Sequence, residues 1–199
     1  MSKMGKIIEM KPLPASVYNS IVNIFYNKRF LKFIQEEVQP MQGLRILDVP
    51  CGTGILMNCC KPSSYVGADI DVNRVVDAGR RNTRENFIVS DASSLAFKNE
   101  KFDRILVSGL FHHVNDPISL EILSEFKRVL SPNGKLIVFE AIWPRNRFNL
   151  IGLVGRKLDQ GKFVRHAEEY ERLFEQYFKI QKSVCFSNLG FEYLFSRLV

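Results

Sequence analysis

Two aspartates bracket the residues best suited to chemistry. Asp48 ends the apolar run Ile46-Leu47 and leads into Val49-Pro50-Cys51-Gly52-Thr53-Gly54, and Asp69 closes Val66-Gly67-Ala68 about 20 residues after that turn begins. Two glycines this close let a backbone turn tightly and approach a ligand. A carboxylate at that later spacing suits a ribose diol, because its two oxygens accept from two hydroxyls. Further on, Phe111-His112-His113-Val114 supplies two imidazoles, which titrate near neutrality and can take a proton from a hydroxyl or an ammonium.

The turn also narrows the ligand. Gly52 and Gly54 fill the first two positions of G-x-G-x-x-G, but Met57 replaces the third glycine, and no G-x-x-x-x-G-K-[ST] phosphate loop occurs. Asp48 would repel a pyrophosphate, yet it could help hold an ammonium group directly or through water. A ligand with an amino group, a ribose and few or no phosphates fits, and S-adenosylmethionine is one. Pro50 lacks an N–H but keeps its carbonyl, with φ fixed near −65°. It is compatible with a turn whose carbonyl accepts from such an amino group.

Alternating short apolar runs and helical stretches must position these residues. Leu44–Val49, Tyr65–Asp69, Asn86–Val89, Asp103–Ser108 and Lys135–Glu140 read as strands. Helical stretches fall near Ala15–Val38, Ile55–Cys60, Val72–Asn82, Ser93–Phe97 and Pro117–Leu130, with Asp71 and Asp116 as helix caps. This alternation predicts an α/β fold with a parallel sheet covered on both faces. A helix around Ala167–Tyr177 then precedes two strand-like runs, Phe178–Phe186 and Phe191–Leu198, which suggest an antiparallel hairpin closing the sheet edge.

The 199 residues suffice for one domain with a real core, and no apolar run reaches the roughly 20 residues a membrane span needs. The N-terminus has no apolar signal core, so a cytoplasmic location is the default. Cys51, Cys59, Cys60 and Cys185 form no CxxC pair and read as reduced thiols, with no metal site expected. The net charge of +7 favours anionic partners, among them nucleic acid, lipid head groups or an acidic substrate, although no basic block concentrates it.

In order, ILDVPCGTG, VGADID, VSDASSLAF, FDRILVSGLFHHV and LSPNGKLIVFE resemble the motifs of class I S-adenosylmethionine-dependent methyltransferases of the type 11 kind. The resemblance covers roughly Leu44 to Glu140 and the edge hairpin. It implies a Rossmann-like, seven-stranded, mostly parallel sheet with a reversed edge strand in the C-terminal hairpin. It divides the chain into an N-terminal helical cap (1–43), a cofactor-binding core (44–140), a substrate cap (141–175) and the hairpin (176–199). It further implies that the turn at Pro50, Cys51, Gly52 and Gly54, with Asp48 just before it, holds the methionine moiety, Asp48 being assigned by its charge, and that Asp69 takes the ribose with Ile70 on the adenine. Asp91 and the Ala92 amide would meet the adenine amino group, and Ser108 and Gly109 would pass beneath the methionine end. The product would be S-adenosyl-L-homocysteine.

His112 is the preferred proton acceptor or substrate contact, with His113 beside it. The absence of an NPPY-like sequence there departs from enzymes that methylate exocyclic amines of adenine or amide nitrogens. Tyr18 and Tyr26, and Trp143, Arg165 and Tyr170 in WPRNRFNLIGLVGRKLDQGKFVRHAEEY, are candidate substrate contacts. That segment mixes apolar and basic residues, suited to an apolar substrate with an acidic head or to a membrane surface. The expected activity is methyl transfer to a small molecule, with a lipid-like, quinone or natural-product hydroxyl as acceptor. An RNA or protein methyltransferase, and a non-catalytic cofactor-binding partner protein, are the alternatives.

Overall fold

A computed structural model describes residues 26–38, 43–57, 64–83, 86–159 and 161–199. Tyr18, Cys59, Cys60 and residues 15–25 of the first expected helix lie outside the described residues. The described part of that helix, α1 (Lys28–Val38), starts where Asn27 Oδ1 accepts from the Phe30 N–H at 3.0 Å. Among its described side chains Phe30 and Ile34, one turn apart, are buried.

Seven strands follow: β1 (Arg45–Asp48), β2 (Ser64–Asp69), β3 (Asn86–Val89), β4 (Phe102–Ser108), β5 (Leu130–Ala141), β6 (Ile180–Asn188) and β7 (Phe191–Leu198). They form one sheet in the order β3-β2-β1-β4-β5-β7-β6. The pairs from β3 to β5 are parallel, whereas β7 runs antiparallel to both β5 and β6. The reversed strand is therefore one in from the edge, and the edge strand β6 runs with the parallel set. The hairpin turn shrinks to Leu189-Gly190, each with positive φ, because pairing extends to Asn188↔Phe191.

Both sheet faces are covered, so the central strands are apolar at successive positions. Ile46, Leu106, Ile137, Phe139 and Phe195 pack on the α1 side with Phe30 and Ile34. Their neighbours Leu47, Ile105, Val107, Leu136 and Val138 point to the other core. That core is closed by α3 (Asp116–Val129) and α5 (Ala167–Phe174), with α2 (Val72–Arg81) and α4 (Leu150–Leu158) as the other described α-helices.

Two local expectations change. Asn115, not Asp116, caps α3, its Oδ1 accepting from the Ile118 N–H at 3.2 Å; Asp116 falls inside the first turn and meets Arg165 instead. Ser93–Phe97 forms no helix. Asp91 Oδ1 accepts from the Ser93 N–H at 2.9 Å and hydroxyl at 2.8 Å, closing a side-chain turn that competes with helix formation. Asp71 does cap α2, accepting from the Asn73 N–H at 2.9 Å.

Candidate cofactor and methyl-transfer site

Strand order reverses between β1 and β4, so connections leave these neighbours in opposite directions and open a crevice at their carboxyl ends. The residues at the ends of β1, β2, β3 and β4, from Asp48 to Gly109, gather at this end of the sheet. The turn after β1 is tied to both neighbouring strands. The Val49 N–H donates to Leu106 O at 2.9 Å, and the Cys51 N–H to Ala68 O at 2.8 Å. Pro50 has no positive φ and follows a cis peptide, whereas Gly52 and Gly54 have φ of 54° and 77°. At Gly54 a side chain is also excluded by space, since a Cβ would lie 2.8 Å from Asn82 Nδ2 and 3.1 Å from Phe87 Cζ. Burial pushes the Cys51 thiol well above its ordinary range, which keeps it protonated.

Asp69 organises the turn as well as facing the crevice. Its Oδ2 accepts from the Gly52 N–H and its Oδ1 from the Asp71 N–H, both at 2.9 Å. Burial raises its carboxyl above the usual range, opposed by these two donors and by Arg74. Each carboxylate oxygen has a second lone pair, so accepting from two amides does not exhaust it. Ile70, half-buried, packs on the core beside it, and Ala92 is buried in the turn that follows β3.

Asp48 is the most unusual group. It is fully buried, and the Tyr65 hydroxyl donates to its Oδ2 at 2.5 Å. Tyr65, Gly67 and Asp69 share one face of β2, and Asp48 pairs with Gly67, which carries no side chain and packs under the Phe87 ring of β3. The second oxygen, Oδ1, is buried without a hydrogen-bond partner. Burial first, and Asp69 to a lesser degree, push the Asp48 carboxyl up to about 7 against the pull of the Tyr65 bond. A buried acceptor left unpaired costs about 1–3 kcal/mol. The observation that Asp48 Oδ1 waits beside a two-glycine turn therefore fits a cationic donor such as an ammonium group.

The end of β4 forms the other wall. Ser108 Oγ and the Tyr26 hydroxyl share a 2.6 Å hydrogen bond, and Gly109 (φ 71°) donates its N–H to Phe139 O at 2.9 Å. A side chain at Gly109 would press on His112, whose Cε1 lies 3.2 Å from the Cβ position. His112 sits in a short 3₁₀ turn, Phe111–His113. Glu140, fully buried at the end of β5, accepts from the Leu110 and Phe111 N–H groups at 2.6 and 2.8 Å through Oε1. Its Oε2 lies 2.8 Å from His112 Nδ1. An ionised carboxylate only accepts, so this contact places the ring proton on Nδ1 and leaves Nε2 as the basic nitrogen.

His113 differs from its neighbour. Its ring lies 4.0 Å from that of His112, its Nδ1 is buried without a partner, and burial followed by His112 pushes it down to about 3. It is neutral near pH 7.

A strap from Gly161 to Arg165 covers the histidines. The Phe163 N–H donates to His112 O at 2.9 Å, and Gly161 packs so close to the imidazole that a Cβ there would overlap the ring. Asp159 Oδ1 accepts from the Gly161 N–H at 2.8 Å and lies 3.9 Å from His112 Nε2. Burial raises the Asp159 carboxyl, but His112, the Gly161 N–H and Arg156 together bring it below its usual range. Trp143 pins the strap by donating Nε1–H to Val164 O at 2.9 Å.

Arg165 is committed to structure. Its guanidinium donates to the carbonyls of Phe111 at 2.7 Å, Val114 at 2.9 Å and Phe163 at 3.0 Å, and to Asp116 at 2.6 Å. The Tyr170 ring lies beneath it, fully buried, with burial raising its hydroxyl pKa. Neither residue is placed to meet an external anion. Sequence reasoning gave no role to Glu140, Tyr65 or Asp159. For Glu140 the signal was a lone charge at the end of the otherwise apolar run Leu136–Phe139. For the other two no local signal existed, because each acts through a partner distant in sequence. A surface depression of about 350 Å3, lined in part by Lys127, Arg128, Ser131 and Phe178, opens at the opposite end of β4 and β5 and is separate from this crevice.

A reversed-order parallel sheet carrying a glycine turn and carboxylates at its strand ends defines a Rossmann-like protein. Residues 47–138 match the model of the methyltransferase domain. The demethylmenaquinone methyltransferase of Renibacterium salmoninarum is 30% identical over 133 residues, which cover 64% of this chain and 54% of that protein. The chain thus spans little more than half the length of the curated relatives it matches. Among solved structures, an S-adenosylmethionine-dependent methyltransferase of Leishmania major superposes with a TM-score of 0.78 at 14% identity, over 98% of this chain and 82% of that one. A geranyl diphosphate methyltransferase in complex with GPP and sinefungin gives 0.68 at 13% identity, over 84% and 76%. Over residues 47–138 the chain thus resembles the methyltransferase domain, and its fold is that of S-adenosylmethionine-dependent methyltransferases.

Proposed function

We propose that the protein transfers a methyl group from S-adenosylmethionine to a hydroxyl of a small, apolar acceptor of the quinone or lipid-like class. The observation that carries the cofactor half is the unpartnered, buried Asp48 Oδ1 beside Gly52 and Gly54. Asp48 and the Pro50 carbonyl would receive the ammonium group, Asp69 the ribose hydroxyls, Asp91 and the Ala92 amide the adenine amino group. Ser108 and Gly109 would lie under the methionine end. A geranyl diphosphate methyltransferase of the same fold holds sinefungin, an S-adenosylmethionine analogue, which supports this reading.

When bound, the cofactor supplies a methyl group already activated by a sulfonium centre. What remains for the chain is to orient an acceptor, exclude water and move a proton. Holding two reactants in line accounts for up to roughly 7–11 kcal/mol of the barrier in favourable intramolecular cases. His112 Nε2, left without the proton by the tautomer Glu140 imposes, takes the acceptor's proton. Tyr26 and Trp143 border the acceptor space. The quinone or lipid-like class is supported by the relatives named demethylmenaquinone methyltransferase.

Isothermal titration with S-adenosylhomocysteine tests the cofactor half. Binding in the micromolar range is expected, and none at millimolar ligand would sink it. Transfer of labelled methyl to an organic-extractable quinone acceptor tests the other half. Transfer only to RNA or protein would replace the acceptor class, and cofactor binding without turnover on a broad panel would favour a non-catalytic partner.

A further inference from the structure

α4 is built inside out. Its inward side carries Gly152, Gly155 and Arg156. Gly155 is pressed against the Phe191 ring, where a Cβ would overlap it. The Arg156 guanidinium donates to Ile142 O at 3.1 Å, to Glu192 O at 2.7 Å and to Asp159 at 3.1 Å, and lies over the Phe191 and Tyr193 rings. With 100° between successive residues, Leu150, Ile151, Val154 and Leu158 fall within one outward arc of about 100°. They are 68%, 66%, 57% and 78% exposed. Phe148, just before the helix, is 73% exposed. Leu189, on the β6–β7 turn whose Gly190 touches Ile151, extends the patch across to the hairpin. Water therefore faces a contiguous apolar ridge, while the helix's one buried cation faces the protein.

The surroundings of the ridge select its occupant. Between Trp143 and Phe163 there are five basic residues against one acid, Asp159; Arg156 and Asp159 pair inward and Arg145 meets Glu192, so the cations that flank the ridge are Arg147 and Lys157. Arg147 and Lys157 are exposed at the ridge margins, with the Arg147 guanidinium 4.9 Å from the Phe148 ring centre. Apolar side chains on a short helix with long cations at its borders match an anionic bilayer: the apolar chains enter the acyl boundary and the cations reach the head groups. A second copy meeting the ridge across a two-fold axis would bring these cations toward their own kind. We propose that α4, Phe148 and Leu189 form the site at which the protein docks on an anionic phospholipid membrane.

The proposal goes beyond methyl transfer and does not depend on it, since docking is read without cofactor or acceptor. The test is co-sedimentation of the full chain with phosphatidylcholine vesicles, with and without phosphatidylglycerol. The wild type should pellet with the mixed vesicles and more weakly with phosphatidylcholine alone, and salt should reduce the difference. Ile151→Glu with Val154→Glu should lower partitioning at least about tenfold for each apolar side chain withdrawn. Arg147→Gln and Lys157→Gln should each lower it about fivefold, on phosphatidylglycerol only. Thermal unfolding serves as the folding control. Leu158→Gln, at the exposed helix end, gives the same reading in a milder form if the double variant is destabilised. Failure of the wild type to pellet with either vesicle would overturn the proposal. So would variants that pellet like the wild type, or a dimer in the ultracentrifuge that Ile151→Glu dissociates, which would assign the ridge to a second copy.

Discussion

Asp48→Asn separates what the buried carboxylate costs the fold from what it contributes to binding. In the unfolded chain this group titrates near 3.8, and in the fold burial pushes it up to about 7. Between these values the unfolded state has released a proton that the folded state still holds. The folded state binds more protons, so Asp48 lowers stability progressively as pH rises from about 4 to about 7, and the loss levels off above that. Between about pH 5 and pH 8 the added cost integrates to about 2–3 kcal/mol. Asparagine cannot ionise but keeps an oxygen for the Tyr65 hydroxyl. The stability of Asp48→Asn minus that of the wild type should therefore grow by about 2–3 kcal/mol from about pH 5 to pH 8. Urea denaturation of both proteins across that range measures it. At the same time the variant should bind S-adenosylhomocysteine far more weakly, and wild-type affinity should rise as pH passes through 7 and Asp48 ionises. Stability curves that stay parallel would refute the burial argument, and an unchanged affinity would refute the role given to Oδ1.

Asp69→Ala removes the acceptor of the Gly52 and Asp71 amides as well as the ribose partner, so titration should show cofactor affinity reduced at least about a hundredfold, together with a lower melting temperature. Gly54→Ala strains a positive φ and drives a methyl group against Asn82 and Phe87; calorimetry should show a loss of about 1–3 kcal/mol. His112→Ala should lower kcat by about 10²–10⁴ in steady-state assays. Glu140→Gln should lower kcat while leaving cofactor affinity unchanged, since it acts through the tautomer of His112. Arg165→Ala leaves the Phe111 and Val114 carbonyls without their donor and should cost about 2–4 kcal/mol in denaturant titrations.

The parts legible in the sequence were those with local signatures. Five strands, the glycine turn, the Asp69 spacing and the Asp71 cap all follow from periodicity or turn chemistry within a few residues. Strand order leaves no such mark, and the position of β7 inside β6 could be expected only as a hairpin at the edge. The helical period groups Leu150, Ile151, Val154 and Leu158 on one face but does not say which way that face points. The Arg156 hydrogen bonds to Ile142 and Glu192 decide it. Arg165 and Tyr170 looked available because an arginine beside an aromatic has the chemistry of an anion site. Their partners, Phe111, Val114 and Asp116, come from a loop about fifty residues earlier. Glu140 is the converse case: its local sequence marks it as odd, but only the packing of β5 beside the β4 turn shows what it holds.

The placement of β7 between β5 and β6 also sets an order of assembly. Among the described residues β6 pairs with β7 alone, while β7 meets β5 through pairs such as Leu136↔Leu198. The hairpin is local, closed by a two-residue turn, whereas its attachment spans some sixty positions of chain and carries the larger loop-closure cost. The two strands should form first and dock as a ready-made pair. Until they arrive, β5 presents Leu136-Ile137-Val138-Phe139 along an open edge, an apolar run able to pair with the wrong strand. Late docking of one hairpin then governs how long the nascent protein is vulnerable to aggregation.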